Sequence, residues 1–237
     1  MTSNLVSDGR RTALVAGGSG AIGSELLKVL IASGRYDRIH SVGRRRLGLN
    51  CDRVVEHVVD FECLADWPTD EAIDDVFCAL GTTLQAAGSA EAFRRVDYEY
   101  VLQVGELGKR LATQTLSVVS SIGADVSAGS LYLQTKGEME AALDALSVPV
   151  LHVFRPSLLA GSLKRADFRL KEVLTNGLLA VLGPLVLHGR LRKYCRVAPA
   201  LVASAMVRAV FDQGRGTRIY ENDAIFDLSD SASKPLV

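Results

Sequence analysis

The sequence predicts an α/β fold: a doubly wound parallel sheet with helices on both faces and a small C-terminal elaboration. Short apolar runs alternate with longer segments of helical period, which is typical of such sheets. A glycine-rich turn follows the first apolar run, and no stretch rich in Pro, Ser or charge marks an interdomain linker. We therefore expect a single domain over residues 1–237, with the strand and helix core at 11–155 and the C-terminal region at 156–228.

The first three strands and the first helix are predicted near the N-terminus. Residues 12–16 (TALVA) form an apolar run of the length of a buried strand. In the next helical segment, SELLKVLIASG, leucine and isoleucine recur at helical spacing, and Gly34 ends the helix. Residues 38–42 (RIHSV) and 53–59 (RVVEHVV) are the second and third apolar runs, and both are expected to be strands.

The middle of the chain repeats this alternation. Its apolar runs predict a fourth strand at residues 75–80, a fifth at 115–119 and a sixth at 149–154. The helical period between them predicts helices at residues 90–111 and 131–146. Such sheets bind ligands at the carboxyl ends of the strands, so the residues that follow each strand are the candidates for chemistry.

The last third of the chain is less regular. We expect a core helix at residues 197–211, a late strand and turn at 218–228, and disorder in the last nine residues. Residues 173–189 carry no formal charge, but polar residues, glycines and Pro184 interrupt them, and they fall short of the roughly 20 apolar residues of a membrane span. We expect a buried helix hairpin or pocket wall there, with an interfacial segment as the alternative.

Composition excludes several classes of protein. The chain has 27 basic and 27 acidic side chains, a formal net charge of zero and 48% hydrophobic residues. A disordered tail, a collagen-like fibre and a broadly basic nucleic-acid wrapper are therefore excluded. Cys51, Cys63, Cys78 and Cys195 lack metal-ligand spacing and the four histidines are dispersed, so we expect free thiols and no metal site. Free thiols and the lack of a secretory signal favour a cytoplasmic protein.

A glycine loop is the first functional motif. The GxxGxxG pattern of GGSGAIG directly follows the first predicted strand and opens onto the first helix. Spaced glycines suit a tight turn, close approach to a pyrophosphate and close packing of helix on strand, and the helix start favours the anion. The alternative is a plain glycine-rich turn. We interpret the motif as the dinucleotide-binding loop of a Rossmann fold, with contacts from Gly17, Gly18, Ser19, Gly20, Ala21, Ile22 and Gly23.

The end of the second strand indicates the type of dinucleotide. An NAD site ordinarily has a carboxylate there for the ribose 2′-hydroxyl, whereas this chain has Gly43 followed by Arg44, Arg45 and Arg46. Guanidinium groups bind a 2′-phosphate through charge-assisted bidentate hydrogen bonds. We therefore expect NADP(H) as the cofactor. The alternative is a solvated basic turn.

Residues after the third and fourth strands complete the predicted cofactor site. The acid after the third strand could accept a hydrogen bond from the adenine amino group, or it is an ordinary acid of a surface loop. The Gly-Thr-Thr segment after the fourth strand brings backbone and hydroxyl groups beside the middle of a bound dinucleotide. The predicted contacts in these two places are Asp60, Phe61, Leu80, Gly81, Thr82 and Thr83.

A tyrosine and a lysine form the candidate catalytic pair. Tyr132 and Lys136 are four residues apart in SLYLQTKGEMEAAL, so on a helix their side chains share one face. A lysine ammonium stabilises a nearby phenolate, which suits Tyr132 to act as general acid toward a carbonyl oxygen as hydride reaches the carbon. Ser121, or else Ser120, follows the fifth strand and is expected to orient that carbonyl. The alternative is a surface helix pair beside a serine-rich strand end.

Several segments together resemble a known family. They are VGRR, VDFE, FCALGTT with AGSAEAFRRVDYEYV, the VSSIGAD turn, LYLQTKGEME and FRPSLL. With the glycine loop they are similar to the atypical short-chain dehydrogenases/reductases related to the Tat-interacting protein, which are NAD(P)-binding Rossmann-fold proteins. The similarity extends over roughly residues 12–228.

The resemblance implies roles for particular residues. It implies that Ser121, Tyr132 and Lys136 form the catalytic set, with Ser120 as the second candidate for the serine, and that Ser120, Tyr132 and Lys136 also contact the cofactor. Lys136 is expected to bond the nicotinamide ribose. Many extended reductases have an asparagine where this chain has Asp97. The residues expected to pass the nicotinamide amide are Arg155, Pro156, Ser157 and Leu158.

The zero net charge conceals two oppositely charged regions. Residues 155–196 carry nine basic side chains against two acids, and residues 59–106 carry eleven acids against two arginines. In short-chain reductases the segment after the sixth strand covers the substrate, so this substrate-side excess favours an anionic substrate such as a carboxylate, a phosphate ester or a coenzyme A thioester. A solvated helix face and nucleic-acid binding are alternatives. Apolar residues, rather than stacking aromatics, interleave the basic ones, which argues against nucleic acid.

These motifs together predict an NADP(H)-dependent carbonyl reductase or dehydrogenase of the atypical short-chain type. Its expected partner is a small-molecule substrate, with no nucleic acid and no membrane span, and both a monomer and a homodimer remain open. One alternative is an NADPH-binding sensor or interaction protein without significant turnover. Another is an epimerase or dehydratase that uses the cofactor without net oxidation.

Overall fold

The fold is a parallel sheet of seven strands between two layers of helices. A computed structural model describes residues 11–69, 71–157, 159, 195–212 and 214–230. Every neighbouring pair of strands is parallel, and the strand order is β3-β2-β1-β4-β5-β6-β7. The strands are β1 (Arg11–Ala16), β2 (Tyr36–Gly43), β3 (Val54–Val58), β4 (Asp75–Cys78), β5 (Thr115–Val119), β6 (Val150–Arg155) and β7 (Gly216–Glu221).

Helices connect the strands and cover both faces of the sheet. A 3-10 helix (Phe61–Asp66) follows β3, and one turn of π-helix (Arg95–Glu99) interrupts the long helix that the sequence predicts at residues 90–111. The α-helices in the described residues are α1 (Ala21–Ser33), α2 (Leu84–Ala87), α3 (Ala90–Arg94), α4 (Tyr100–Arg110), α5 (Leu131–Ala145), α6 (Pro199–Ala209) and α7 (Asn222–Asp230).

The alternation of side chains along the strands produces two apolar cores. Successive residues of a strand point to opposite faces, so Val15 and Phe77 lie in one core while Leu14 and Val76 lie in the other. The first core packs against α1, α6 and α7, and the second against α4 and α5. Both faces of the central strands β1, β4 and β5 are therefore buried, which explains why these three strands are mostly apolar.

The strand order reverses direction between β1 and β4. β2 and β3 extend the sheet to one side of β1, whereas β4 to β7 extend it to the other. A crevice opens at such a point, at the carboxyl ends of the strands, and it is the usual ligand site of this architecture. The doubly wound Rossmann fold that the sequence predicts is confirmed.

The expected late strand joins the sheet as β7, and the expected core helix covers it as α6. Two other expectations for the C-terminal region need correction. Residues 222–228 form the start of a helix, α7, instead of a turn, and the helix extends into the last nine residues, where Ser229 is buried. Leu158, residues 160–194, which include the apolar segment 173–189, and residues 231–237 lie outside the described residues.

Other findings concern thiols, metals and membranes. All four cysteines are free, as expected. Among the described residues there is no cluster of three or more His, Cys, Asp or Glu side chains suited to a metal ion. None of the helices in the described ranges is both long and apolar enough to cross a bilayer.

Candidate functional site

The turn between β1 and α1 requires glycine at two positions. Gly17 has φ +91°, and a Cβ there would lie 2.7 Å from the carbonyl carbon of Ala79, beyond β4. A Cβ on Gly23 would lie 2.1 Å from the Gly17 oxygen, so α1 packs directly on the turn. Gly20 N–H donates to the Gly17 oxygen at 2.9 Å and closes the turn. The glycines thus bring the start of α1 against the ends of β1 and β4.

The start of α1 is free of side-chain caps. Gly20 is the N-cap and makes no side-chain hydrogen bond, and the first turn has no acidic residue. In contrast, Thr83, Ser89 and Ser130 cap α2, α3 and α5 through their hydroxyls. The first N–H groups of a helix need acceptors, so this uncapped start, which begins at Ala21, suits the pyrophosphate of a dinucleotide.

A cleft of about 750 Å³ opens beside this turn at the carboxyl ends of β1, β2 and β4. This volume is within the range of small-molecule and cofactor sites. The predicted cofactor-binding residues that line it are Gly17, Gly18, Ser19, Gly20, Arg44, Arg45, Phe61, Leu80, Gly81 and Thr82.

The far wall of the cleft contains residues that the sequence analysis did not single out. Arg95, Val96 and Tyr100 line it from the π-turn and the start of α4. The Tyr100 ring stacks on Phe61 with centroids 5.4 Å apart, and its hydroxyl donates to Glu62 at 3.0 Å. The VDYEY segment is part of the family resemblance, but its spacing assigns no residue to the cofactor site. Only its position opposite Phe61 in the fold identifies this wall.

The arginine turn after β2 borders the cleft. Arg44 and Arg45 line it and are exposed, and neither has an ion pair or a side-chain hydrogen bond within the described residues. Both a 2′-phosphate site and a solvated basic turn are consistent with this arrangement. The cofactor preference of this turn therefore stays a prediction.

Two predicted cofactor contacts have side chains engaged elsewhere. The Asp60 carboxylate accepts from Glu62 N–H at 3.0 Å and caps the 3-10 helix, and the Thr83 hydroxyl accepts from Ala86 N–H at 3.0 Å and caps α2. Neither residue lines the cleft. Of the neighbours Asp60 and Phe61, Phe61 is the one that lines the cleft.

A buried ion pair joins α5 to the π-turn. Lys136 Nζ lies 2.9 Å from Asp97 Oδ1, and the side chains are 3% and 1% exposed. The other carboxylate oxygen of Asp97 accepts from Thr82 N–H at 2.7 Å. Burial alone would lower the pKa of Lys136, but the Asp97 charge and then Tyr132 outweigh it, so the pKa is raised and the lysine stays protonated.

The ion pair lies directly beneath the cleft. A Cβ on Gly81, which lines the cleft, would lie 3.4 Å from Asp97 Oδ1 and 4.0 Å from Lys136 Nζ. The lysine ammonium is thus separated from the cofactor cleft by little more than a glycine backbone. Sequence reasoning noted Asp97 as a departure from the asparagine of extended reductases but did not pair it with Lys136.

Tyr132 lies one turn before Lys136 on α5. Its side chain is 9% exposed, and its ring packs against Phe93 with centroids 5.7 Å apart. Neither Tyr132 nor Lys136 is among the residues that line the cleft. The helical spacing predicted from the sequence places both on the buried side of α5.

The two candidate serines have different surroundings. Ser120 is buried, and its hydroxyl donates to Glu140, which also forms a bidentate ion pair with Arg155. Ser121 is half-buried, and within the described residues its hydroxyl makes only a long, 3.4 Å hydrogen bond to the Ile122 carbonyl. Ser121 is therefore the serine whose hydroxyl has the weaker intramolecular bond, whereas the side chains of Ser120 and Arg155 are engaged with Glu140.

The segment after β6 is bound by the C-terminal region. The hydroxyl of Ser157 donates to the Cys195 carbonyl, and its N–H donates to Asn222 Oδ1 at 3.2 Å. Asn222 Nδ2 donates to the same Cys195 carbonyl at 2.8 Å. Pro156 is buried, and its carbonyl accepts from Ile122 N–H at 3.1 Å. This segment and the Ser121 turn are thus connected, and its role in cofactor binding stays a prediction.

The glycine turn, the uncapped helix start and the adjoining cleft define a dinucleotide-binding protein of the Rossmann type. The NAD dependent epimerase/dehydratase family model matches residues 13–131, half of the chain. The chain belongs to this family. It is 34% identical over 230 residues to Protein HTATIP2 of Rattus norvegicus, covering 95% of this chain and 92% of that protein. The resemblance predicted from the sequence is confirmed.

Further relatives and structures agree with this assignment. The mitochondrial protein FMP52 of Eremothecium gossypii is 29% identical over 221 residues, which cover 91% of this chain and 96% of the relative. A short-chain dehydrogenase/reductase family oxidoreductase from Burkholderia thailandensis has the same fold, with a TM-score of 0.64, 19% identity, and coverage of 91% of this chain and 92% of its own. MoeE5 in complex with UDP-glucose and NAD superimposes with a TM-score of 0.65 and 18% identity, covering 94% of this chain and 83% of MoeE5. The family and the fold therefore support an enzyme of the NAD(P)-dependent oxidoreductase and epimerase type.

Proposed function

We propose that this protein is an NADP(H)-dependent oxidoreductase that interconverts a carbonyl compound and its alcohol. Tyr132 is the general acid toward the carbonyl oxygen, Lys136 supplies positive charge beside it and binds the nicotinamide ribose, and Ser121 orients the carbonyl through its hydroxyl. When bound, the reduced cofactor supplies the hydride. In the reverse direction Tyr132 is the base that accepts the proton of the alcohol.

The observation that carries this proposal is the buried ammonium of Lys136 beneath Gly81. A charged lysine is rarely buried unless a counter-charge accompanies it, and Asp97 provides that charge here. The pair lies against the backbone of the cleft and one helical turn from Tyr132. Two residues on a surface helix would have solvated side chains. Here Lys136 is only 3% exposed and Tyr132 only 9% exposed.

The arginine turn supports NADP(H) over NAD(H). Arg44 and Arg45 border the cleft directly after β2, where the ribose of the adenosine half lies in folds of this type. Two exposed guanidinium groups favour a dianionic 2′-phosphate there and give no acceptor to a 2′-hydroxyl. The basic segment 155–196 supports an anionic substrate, although most of that segment lies outside the described residues.

The mechanism predicts that Tyr132→Phe abolishes turnover and leaves NADPH affinity within a few-fold of the wild type. Loss of the proton donor should lower kcat by roughly 10²- to 10⁴-fold. Turnover is followed as NADPH oxidation with an aromatic aldehyde, an aliphatic ketone and an α-keto acid, and affinity by fluorescence titration. Tyr98→Phe is the matched control, because Tyr98 contacts Arg94 and does not line the cleft.

Each outcome discriminates between functions. Undiminished turnover in Tyr132→Phe contradicts the proposed acid. NADPH binding without turnover of any probe by the wild type favours the sensor instead. Conversion of an added nucleotide sugar to its epimer without net NADPH oxidation favours an epimerase.

A further inference from the structure

The arginine turn is shaped by a glutamate of the neighbouring strand. Glu56 lies in β3, opposite Ser41 of β2, and Ser41 lines the cleft. One carboxylate oxygen of Glu56 accepts from Leu47 N–H at 2.5 Å and from Gly48 N–H at 3.3 Å, and the other accepts from Leu49 N–H at 2.6 Å. A single carboxylate thus binds three consecutive backbone N–H groups directly after Arg46.

These bonds fold the chain back onto the edge of the sheet. Gly48 has φ +73°, the left-handed conformation that lets three successive N–H groups converge. Leu47 lines the cleft, and a Cβ on Gly18 would lie 3.1 Å from Leu47 Cδ1, so the turn also abuts the glycine loop. Residues 44–46 are therefore fixed at one end by β2 and at the other by Glu56.

We propose that Glu56 is a positioning residue for the arginine turn, and that its three backbone hydrogen bonds set the preference of the cleft for a 2′-phosphate. This inference rests on the NADP(H) preference proposed above. In this proposal, Glu56 does not contact the cofactor. It acts by fixing the backbone that carries Arg44 and Arg45, because a bidentate contact with phosphate requires a guanidinium in one orientation.

Glu56 is ionised at neutral pH, as this role requires. The Leu49 N–H is the largest cause that lowers the pKa of the carboxyl, and it outweighs the opposing effect of burial with the help of the Leu47 and Gly48 N–H groups. Arg46 lowers the pKa of Glu56 slightly further by its charge. The negative charge of this carboxylate repels a bound phosphate, whereas its hydrogen bonds hold the arginine turn in place. The direction in which NADPH affinity changes on substitution therefore tests the inference.

The charge of Glu56 and its hydrogen bonds predict opposite results for Glu56→Gln. If the glutamate acted only as a negative charge near the arginines, its removal would strengthen the binding of the 2′-phosphate. If it positions the turn, a glutamine cannot replace it, because the amide has one acceptor oxygen and its NH2 group faces backbone donors. The NADPH affinity then falls, and the NADH affinity stays the same.

The experiment measures the dissociation constants of NADPH and NADH for the wild type and four variants. We expect Glu56→Gln to weaken NADPH binding roughly 10-fold, comparable to the loss of one charge-assisted contact, and to leave NADH binding within 2-fold or so. Arg44→Ala is the reference for a direct loss of phosphate contact. Asp52→Asn is the charge control, because Asp52 is an exposed acid of the same connection whose side chain has no hydrogen bond within the described residues.

A fourth variant tests the turn without any change of charge. Gly48→Ala strains the left-handed residue, and its Cβ would meet no atom within 4 Å, so the strain stays in the turn. It should also weaken NADPH and spare NADH. This variant tests the inference even if Glu56→Gln does not fold.

The possible failures are distinguishable. Equal affinity of the wild type for NADPH and NADH contradicts the proposed cofactor preference. A wild type that prefers NADPH, together with a Glu56→Gln variant that binds it equally or more tightly, overturns the role of Glu56. A parallel loss of both cofactors in Glu56→Gln and Gly48→Ala also overturns it, because general loosening of the cleft does not depend on the 2′-phosphate.

Discussion

At the scale of single residues, the Asp97–Lys136 pair connects the candidate chemistry to the cofactor cleft. The two residues are 39 positions apart, and the π-turn at Arg95–Glu99 carries Asp97 to its position. Single turns of π-helix occur frequently at functional sites, where the extra residue changes the direction of a side chain. Asp97 joins Lys136 to Thr82 N–H, so one carboxylate fixes both the lysine of α5 and the loop after β4.

Asp97→Asn is expected to destabilise the protein strongly. The amide keeps an oxygen for Thr82 N–H but removes the counter-charge of a lysine that is 3% exposed, so the free energy of unfolding should fall by about 3–5 kcal/mol. Lys136→Met in the same background removes the uncompensated charge and should restore most of that loss. Chemical denaturation of the wild type, both single variants and the double variant measures the coupling.

The partly exposed pair Arg94–Glu138 provides the control for this cycle. Its side chains are 40% and 29% exposed, so the same double-mutant cycle should give a coupling of only about 0–1 kcal/mol. Strictly additive effects of Asp97→Asn and Lys136→Met would contradict an energetic coupling between these two side chains.

At the scale of elements, sequence reasoning succeeds where the signal is local. The β1–α1 unit and the face of α5 that carries Tyr132 and Lys136 follow from glycine spacing and helical period, and both are present. The parts it missed depend on distant chain segments. Tyr100 contributes to the cleft only because it stacks on Phe61, and Glu56 binds a loop seven to nine residues away whose conformation no short pattern encodes.

The packing of α5 is another such case. Gly137, directly after Lys136, would place a Cβ 2.3 Å from the carbonyl carbon of Asp125 and 2.5 Å from Val126 N. The helix therefore packs against the backbone of the connection that follows β5 and includes Ser121. Glycine in a helix costs about 1 kcal/mol relative to alanine, so only a close contact of this kind explains it there.

Gly137→Ala should therefore destabilise the protein although alanine is the better helix former. Displacement of α5 from the connection is expected to cost about 1–3 kcal/mol net and to lower turnover, because Tyr132 and Ser121 move apart. Gly129→Ala is the matched control in the same connection, since its Cβ would meet no atom within 4 Å. Thermal denaturation compares the two variants. Equal stability of both would show that the contact of α5 with this connection is not tight.

At the scale of the whole molecule, the candidate site and a buried charge cluster lie at opposite ends of the strands. The cleft is at the carboxyl ends of the strands, whereas Arg11, Tyr36 and Asp75 are the first residues of β1, β2 and β4. The six residues of β1 separate these two ends by about 20 Å. Asp75 Oδ1 accepts from Arg11 at 2.6 Å and Oδ2 accepts from Tyr36 Oη at 2.8 Å. Substitutions at the amino ends of the strands should change stability without changing cofactor affinity.

Asp75 is expected to make the stability of the protein depend on pH. Burial raises the pKa of this carboxyl from its usual 3.8 to about 6, although Arg11 and then Tyr36 oppose the change. Between these two values the folded protein binds a proton that the unfolded chain has released, so stability falls as the pH rises through the window and the loss is complete above about pH 6. The shift corresponds to about 3 kcal/mol.

The Asp75→Asn variant isolates this effect, because it removes the titrating carboxyl and keeps an acceptor oxygen at the same position. The free energy of unfolding of the wild type minus that of Asp75→Asn should fall by about 2.5 kcal/mol from about pH 4 to about pH 7, as measured by urea denaturation. NADPH affinity, measured at one pH, should be the same in both proteins, because the substitution lies at the opposite end of the strands from the cleft. A difference that rises with pH would mean that Arg11 and Tyr36 stabilise the ionised carboxylate more than burial penalises it, and the sign of the predicted pKa shift would then be wrong.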